Sequence, residues 1–282
     1  MSKAIAIVLA IAGMLVIGSV AQATLLVDFD ANSGISDTGG LVDTWDSIVG
    51  ARQATPEGAA SRRPTIVSNV FAQGQAGVLF DGVDDILRYS DAGFPTGNPA
   101  FTMVAAFKYG TGITNAAGVM SWGDDALTNQ LDQSGMGRWN TATPTLRHFT
   151  NGGGAASTLN LNMDQLYVGI ITHANGSGTF NFTVIEDGLV SSGSGTDGGA
   201  TNTIILSDGR IGGVAGPSSP EFDFFKMKGY IGRVQIYDTE LTGTDLTNLI
   251  ADMTDYVTIP EPATMALLGI GGLMVLRRRR SA

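Results

Sequence analysis

Thr179-Phe-Asn-Phe-Thr-Val-Ile185, followed closely by Asp187-Gly188, decides the fold class of this chain. Phe180, Phe182 and Val184 take alternate positions with Asn181 and Thr183 between them. That period of two sends successive side chains to opposite faces of a half-buried strand. Asn175-Gly176 precedes the run and Asp187-Gly188 follows it, and such dipeptides accept the backbone angles of tight hairpin turns. Similar short runs rich in aromatic and β-branched residues occur at Leu25 to Phe29, Phe101 to Phe107, Leu166 to Thr172 and Tyr230 to Tyr237. Asp81-Gly82, Asn151-Gly152 and Asp208-Gly209 supply further turn signals, and Ser191 to Ala200 reads as a flexible glycine-rich loop. With 39 glycines in 282 residues, long helices are disfavoured throughout. The expectation is an all-β, antiparallel domain of two sheets packed face to face.

One helix interrupts this pattern. Thr242-Gly-Thr-Asp245 has the form of a capping box, and Leu246, Leu249, Ile250 and Met253 follow at helical spacing. Their apolar stripe should lie on the β domain. Asp252 and Asp255 sit unfavourably at the C-terminal end, so packing rather than charge must stabilise the helix.

Both ends of the chain differ from the middle. Lys3, the apolar run Ala4 to Ile17 and Ala21-Gln22-Ala23 have the form of a signal peptide over 1–23, with cleavage before Thr24. At the other end, Ile259-Pro260-Glu261-Pro262 leads into the uncharged segment Met265 to Leu276 and then Arg277, Arg278, Arg279 and Arg280. A helix from Pro262 to Leu276 would measure about 22 Å, short of the roughly 30 Å hydrocarbon core, which suits a temporary anchor. The arginines hold that end on the cytoplasmic side. This order closely resembles the PEP-CTERM sorting signal of Gram-negative bacteria, here over residues 258–282. The resemblance implies recognition and cleavage by an exosortase, transient anchoring in the inner membrane, and delivery to the cell surface or extracellular matrix.

Between the two ends, residues 24–258 hold eleven basic and twenty-five acidic side chains, a formal charge of −14. Such a surface repels nucleic acid and excludes it as a partner. Cysteine is absent, so neither disulfides nor thiol chemistry is available, and the hydrophobic core alone must hold the fold.

Three blocks within 24–257 resemble the LamG-like, concanavalin A-like superfamily. The first is Leu41-Val-Asp-Thr-Trp45-Asp46, continued by Arg63-Pro64-Thr65 and Val78-Leu-Phe80-Asp81-Gly82-Val-Asp84-Asp85-Ile-Leu87. The second is Val184-Ile-Glu-Asp187-Gly188 with Ile211-Gly212-Gly213 after it; the third is Gly229-Tyr-Ile-Gly-Arg-Val234-Gln-Ile236-Tyr237. The resemblance implies a jelly-roll β-sandwich of about a dozen strands, often a carbohydrate- or protein-binding module and sometimes calcium-bound.

Laminarinase-type members of that superfamily carry Glu-x-Asp-x-x-Glu on one strand, with the two glutamates as nucleophile and acid/base. Glu221-Phe-Asp223-Phe-Phe-Lys226 begins this motif and ends it with lysine. A retaining glycosidase needs two carboxyls about 5 Å apart, and no second glutamate stands nearby. No catalytic residue is therefore assigned. His148 and His173 are the only histidines, both in strand-like runs without ligand spacing, and read as structural. Asp81, Asp84 and Asp85 form the one candidate ligand cluster, an oxygen-only set suited to Ca²⁺, without the spacing of an EF-hand. The competing reading is a turn at Asp81-Gly82 whose other two aspartates are solvated. Trp45 is expected in the core, whereas Trp139, in Ser134-Gly-Met-Gly-Arg-Trp139-Asn, offers an exposed flat face to a sugar ring.

These observations favour a non-enzymatic exported module that binds polysaccharide or serves as a structural, adhesive matrix protein. The alternative is a divergent glycoside hydrolase or lyase acting on an exopolysaccharide.

Overall fold

The computed structural model describes residues 23–58, 62–113, 116–123, 133–138, 144–150, 154–197, 203, 208–214 and 225–258. Both terminal apolar segments, with the signal-peptide and sorting-tail residues, lie outside these. Among the described residues no helix is long and apolar enough to cross a membrane.

The strands are β1 (Leu25–Asp30), β2 (Ile35–Thr38), β3 (Leu41–Asp46), β4 (Gln53–Pro56), β5 (Thr65–Val67), β6 (Gly77–Asp81), β7 (Leu87–Ser90), β8 (Phe101–Tyr109) and β9 (Ala117–Gly123). They continue as β10 (Gln133–Arg138), β11 (Thr145–Phe149), β12 (Ala156–Asn160), β13 (Leu166–His173), β14 (Thr179–Glu186), β15 (Leu189–Thr196), β16 (Asp208–Ile211) and β17 (Lys228–Tyr237). One helix, α1 (Gly243–Thr254), follows.

All pairings are antiparallel, and β17 is their hub. It pairs with β8 along one side, and with β1 and β6 along the other. From β8 the ladder runs outward through β13 and β14 to β15. From β6 it runs through β5, β3 and β4 to β7, then β16, β9, β10, β11 and β12. The seventeen strands thus form one continuous, barrel-like network rather than two separate sheets. The link is β4, which pairs with β3 at Trp45–Ala54 and with β7 at Thr55–Arg88. At the far ends β15 and β12 pack without pairing. A Cβ on Gly195 would stand 2.3 Å from the Ala156 carbonyl, so only glycine permits the approach.

Two stretches expected to be loop or turn are strand instead. Residues 191–196 are strand, not a flexible loop, because β15 pairs with β14 at every position from Thr179–Thr196 to Glu186–Leu189. Asp187 and Gly188, at φ of 49° and 74°, form the tight turn that sets this register, and main-chain bonds complete it without apolar side chains. Asp208-Gly209 is likewise no turn but the start of β16. Gly209 faces Tyr89 across the ladder, and a Cβ there would meet the ring at 2.2 Å.

The main core fills the interior with Val27, Phe29, Trp45, Phe80, Trp122 and Phe182 among its members. A second cluster lies outside β8 and β13, where Leu249 and Met253 of α1 pack against Val104, Ala106, Val168 and Ile170. The helical stripe therefore does what its spacing predicts. Its capping box does not form: Thr242 is extended but makes no side-chain cap bond. Gly243 enters the helix at a φ of 56°, a left-handed turn that leads the chain in at a different angle. Leu249→Ala should cost about 2–3 kcal/mol by cavity formation, read as a lower melting temperature. A loss below about 0.5 kcal/mol would show that α1 is not held by this stripe.

Candidate functional site

The acidic cluster sits where β6 ends. Gly82 turns the chain at a φ of 79° beside Lys228, whose Cβ would lie 2.7 Å from any Cβ added there. Beyond this turn the aspartates organise their own loop. Asp81 accepts hydrogen bonds from the Val83 and Asp84 amides at 2.6 and 3.2 Å. The Asp81 amide donates to Asp85 at 2.9 Å. One carboxylate oxygen from each of Asp81, Asp84 and Asp85 lies within 4.8 Å of the others.

The electrostatics follow from this crowding. Burial first, and then the charges of Asp81 and Asp84, push the Asp85 carboxyl up to about 6, against the lowering effect of the Asp81 amide. Two cationic side chains reach the loop. The Arg62 guanidinium approaches Asp84 at 3.8 Å, and Lys226 donates to the Val83 carbonyl. Three carboxylates with no nitrogen or sulfur donor suit a hard divalent cation, although some of their oxygens already serve the turn. The structure thus brings together the three residues singled out from the sequence and adds Lys226 to them. That addition has no local sequence signal, since Lys226 and Val83 are 143 residues apart.

Lys226, which closes the Glu221-Phe-Asp223-Phe-Phe-Lys226 run, has its ammonium committed to a backbone carbonyl. Glu221 and Asp223 lie outside the described residues, as does Trp139. Trp45 and Trp122 are fully buried and donate to the Asp30 and Pro95 carbonyls, so neither offers a face to ligand.

The two histidines are core residues. His148 on β11 and His173 on β13 both stack against Phe180, with ring centroids 4.2 and 4.3 Å from it. The His173 ring nitrogens lie 2.6 Å from the Pro99 carbonyl and 2.8 Å from that of Ser177. Among the described residues both His148 nitrogens are buried without a hydrogen-bond partner. Burial above all, with His173 and Arg147 nearby, pushes His148 down to about 3. Buried and stacked against Phe101 and Phe180, this imidazole is neutral near pH 7 and serves packing.

Elsewhere a groove of about 480 Å³ runs between the 31–37 and 66–76 segments. Asn32, Ser33, Asp37 and Ser68 line it, with Gly34 and Gly74 beside them. Asn32 is fixed by Asp30 and by the Ala76 amide at 2.8 and 2.9 Å. This polar opening was not singled out from the sequence, because its walls are segments distant in sequence that only the fold brings together, through the Asn32–Ala76 bond and the β3–β5 and β5–β6 pairings.

Comparison with known proteins covers the two parts of the chain differently. Residues 258–280 match the PEP-CTERM protein-sorting motif. That motif marks the chain for exosortase-dependent export to the surface of a Gram-negative bacterium. No curated protein matches the chain. Among solved structures, an arabinofuranosidase complexed with arabinofuranosyl-α-1,2-xylobiose aligns with a TM-score of 0.55 and 14% identity, over 77% of this chain and 51% of its own. A mutant GH54 α-L-arabinofuranosidase soaked with 4-nitrophenyl α-L-arabinofuranoside aligns at 0.54 with the same identity and coverage. A Trypanosoma rangeli sialidase in complex with sialic acid aligns at 0.49 and 16% identity, over 83% of this chain and 33% of its own. The chain spans about half the length of the arabinofuranosidases. At 14% identity the likeness is one of fold.

Proposed function

We propose that this is an exported, non-enzymatic module of the LamG-like jelly-roll type, which binds polysaccharide at the cell surface or in the extracellular matrix. The observation that carries the reading is the placement of the sorting motif. It begins at Thr258, the residue at which the described fold ends and whose amide still donates to Thr254 at 3.0 Å. An apolar, arginine-terminated tail joined directly to an acidic β domain supports a cargo that is held at the membrane and then released. The polar groove beside Asn32 and Asp37 supports a saccharide ligand, and Asp81, Asp84 and Asp85 are the proposed Ca²⁺ ligands. The jelly-roll reading takes β15, β14, β13, β8 and β17 as one sheet and β7, β16, β9, β10, β11 and β12 as the other, with β4 joining them.

The rival reading, a divergent glycoside hydrolase, draws on the fold likeness to the arabinofuranosidases. Against a hydrolase of the laminarinase type stands Lys226, which takes the place of that motif's acid/base glutamate and donates to the Val83 carbonyl. One experiment separates the two. The mature protein, collected after export, should end near Pro260 by mass spectrometry, without Arg277 to Arg280. On a glycan array it should bind a polysaccharide, more tightly with calcium than with EDTA, and leave the glycan uncleaved. Retention of the arginines would defeat the sorting part. Release of sugar would favour the hydrolase, and no glycan binding in either buffer would remove the proposed ligand class.

A further inference from the structure

The start of β1 is built to receive a charge that does not exist in the unprocessed chain. Thr24 lies one step beyond the first β1–β17 pair, Leu25–Tyr237. Its amide donates to the Asp238 carboxylate at 2.8 Å, and its carbonyl accepts from the Asp238 amide at 3.1 Å. Among the described residues Asp238 makes no ion pair. Ala23, just before it, lines a hollow of about 320 Å³ against α1, together with Tyr237, Leu241, Leu249, Asp245 and Asp252. Asp238 thus bonds Thr24 directly, while Asp245 and Asp252 line the hollow beside Ala23, the latter paired with Arg233 at 2.9 Å; no lysine or arginine lines the hollow itself.

We infer that Asp238 is the docking site for the α-ammonium group of Thr24, created when the signal peptide is removed. The inference rests on the export reading above and adds a role for the new terminus. Hydrolysis breaks the Ala23–Thr24 C–N bond. Water supplies the oxygen that leaves Ala23 as a carboxylate, and the amide nitrogen takes up protons to become an ammonium. A hydrogen bond from a neutral amide to the carboxylate is thereby converted, at the same atoms, into an ion pair between two charged groups. Because Thr24 is fixed by reciprocal bonds to Asp238, the gain requires no rearrangement of β1. The first strand is then secured more firmly in the processed chain than in the precursor.

Periodate offers a specific test. It oxidises an N-terminal threonine, a 1,2-amino alcohol, by breaking its Cα–Cβ bond; acetaldehyde and ammonia leave, an aldehyde remains, and periodate is reduced to iodate. The full chain is expressed with its leader in a Gram-negative host, and the exported protein is analysed by mass spectrometry before and after brief oxidation. Oxidation should lower the melting temperature of the wild type by about 2 °C, the scale of an exposed pair. It should leave Asp238→Asn unchanged. The wild-type shift should also shrink in 1 M salt, a readout that needs no variant. If the mature protein does not begin at Thr24, the processing reading falls and the docking with it. If it begins at Thr24 but oxidation shifts wild type and Asp238→Asn equally, or shifts neither, the docking alone is wrong.

Discussion

Arg233→Met is expected to destabilise the domain by about 3–5 kcal/mol and to lower its melting temperature by roughly 10 °C. Arg233 on β17 donates from Nε and Nη2 to the two carboxylate oxygens of Asp28 on β1, at 2.8 and 2.7 Å. Gln235 adds a third donor to Asp28 at 2.9 Å. Asp28 is only 2% exposed, so removing the guanidinium leaves a buried carboxylate without its counter-charge. The hydrogen bonds that Arg233 donates to Asp28 are also the main reason that it is held above its ordinary pKa. The cost of the variant lies in the stranded charge rather than in the pair itself. Asp28→Leu combined with Arg233→Met should therefore recover much of the loss. The third partner is different: Asp252 on α1, 2.9 Å from Nη1, is 58% exposed, so Asp252→Asn should change stability by no more than about 1 kcal/mol. Urea or thermal unfolding of the four proteins checks the set. A loss below about 1 kcal/mol for Arg233→Met would mean that the Asp28 carboxylate finds other partners at little cost.

This clamp marks the boundary of what could be read from the sequence. The strand containing Arg233 was legible, because Val234 and Ile236 alternate with polar neighbours. Its partner was not, since Asp28 and Arg233 are 205 residues apart and only the antiparallel β1–β17 register brings them together. The same holds for Lys226 and Val83. Local signals did well where side chains carry the period: the run from Thr179 to Ile185, the Asp187-Gly188 turn, and the stripe of Leu249 and Met253. They misled where the backbone itself does the work. In β15 the pairing is a property of main-chain donors and acceptors, and serine and glycine side chains give no periodic trace of it. Gly209 followed an aspartate and so imitated a turn, when its actual task is to leave room for the Tyr89 ring. For the candidate site, the three aspartates were visible because they are close in sequence. The groove beside Asn32 was not, because its two walls are separate segments.

The second large effect concerns acid. His148→Phe should leave stability near pH 7 little changed and make the domain about 3 kcal/mol more stable than the wild type at pH 4. His148 is fully buried against Phe101 and Phe180, and its folded-state value is pushed down to about 3 from the usual 6.5. Above pH 6.5 the imidazole is neutral in both folded and unfolded chains and contributes no slope. As pH falls from there towards 3, the unfolded chain takes up a proton that the folded chain refuses, and stability declines by about 1.4 kcal/mol per pH unit. Asp85 works in the opposite direction. Its carboxyl is raised to about 6 from 3.8, so the unfolded chain loses its proton first and stability declines as pH rises between those values. From about pH 4 to 6 the two slopes oppose each other, and the wild type should show little net dependence from this pair. The difference between wild type and His148→Phe isolates the histidine, because Asp85 and every other carboxylate are common to both. Phenylalanine fits the stack and strands no polar atom, so a packing penalty should appear equally at all pH values. A stability difference that stays constant from pH 7 to pH 4 would show that His148 accepts a proton without leaving the core.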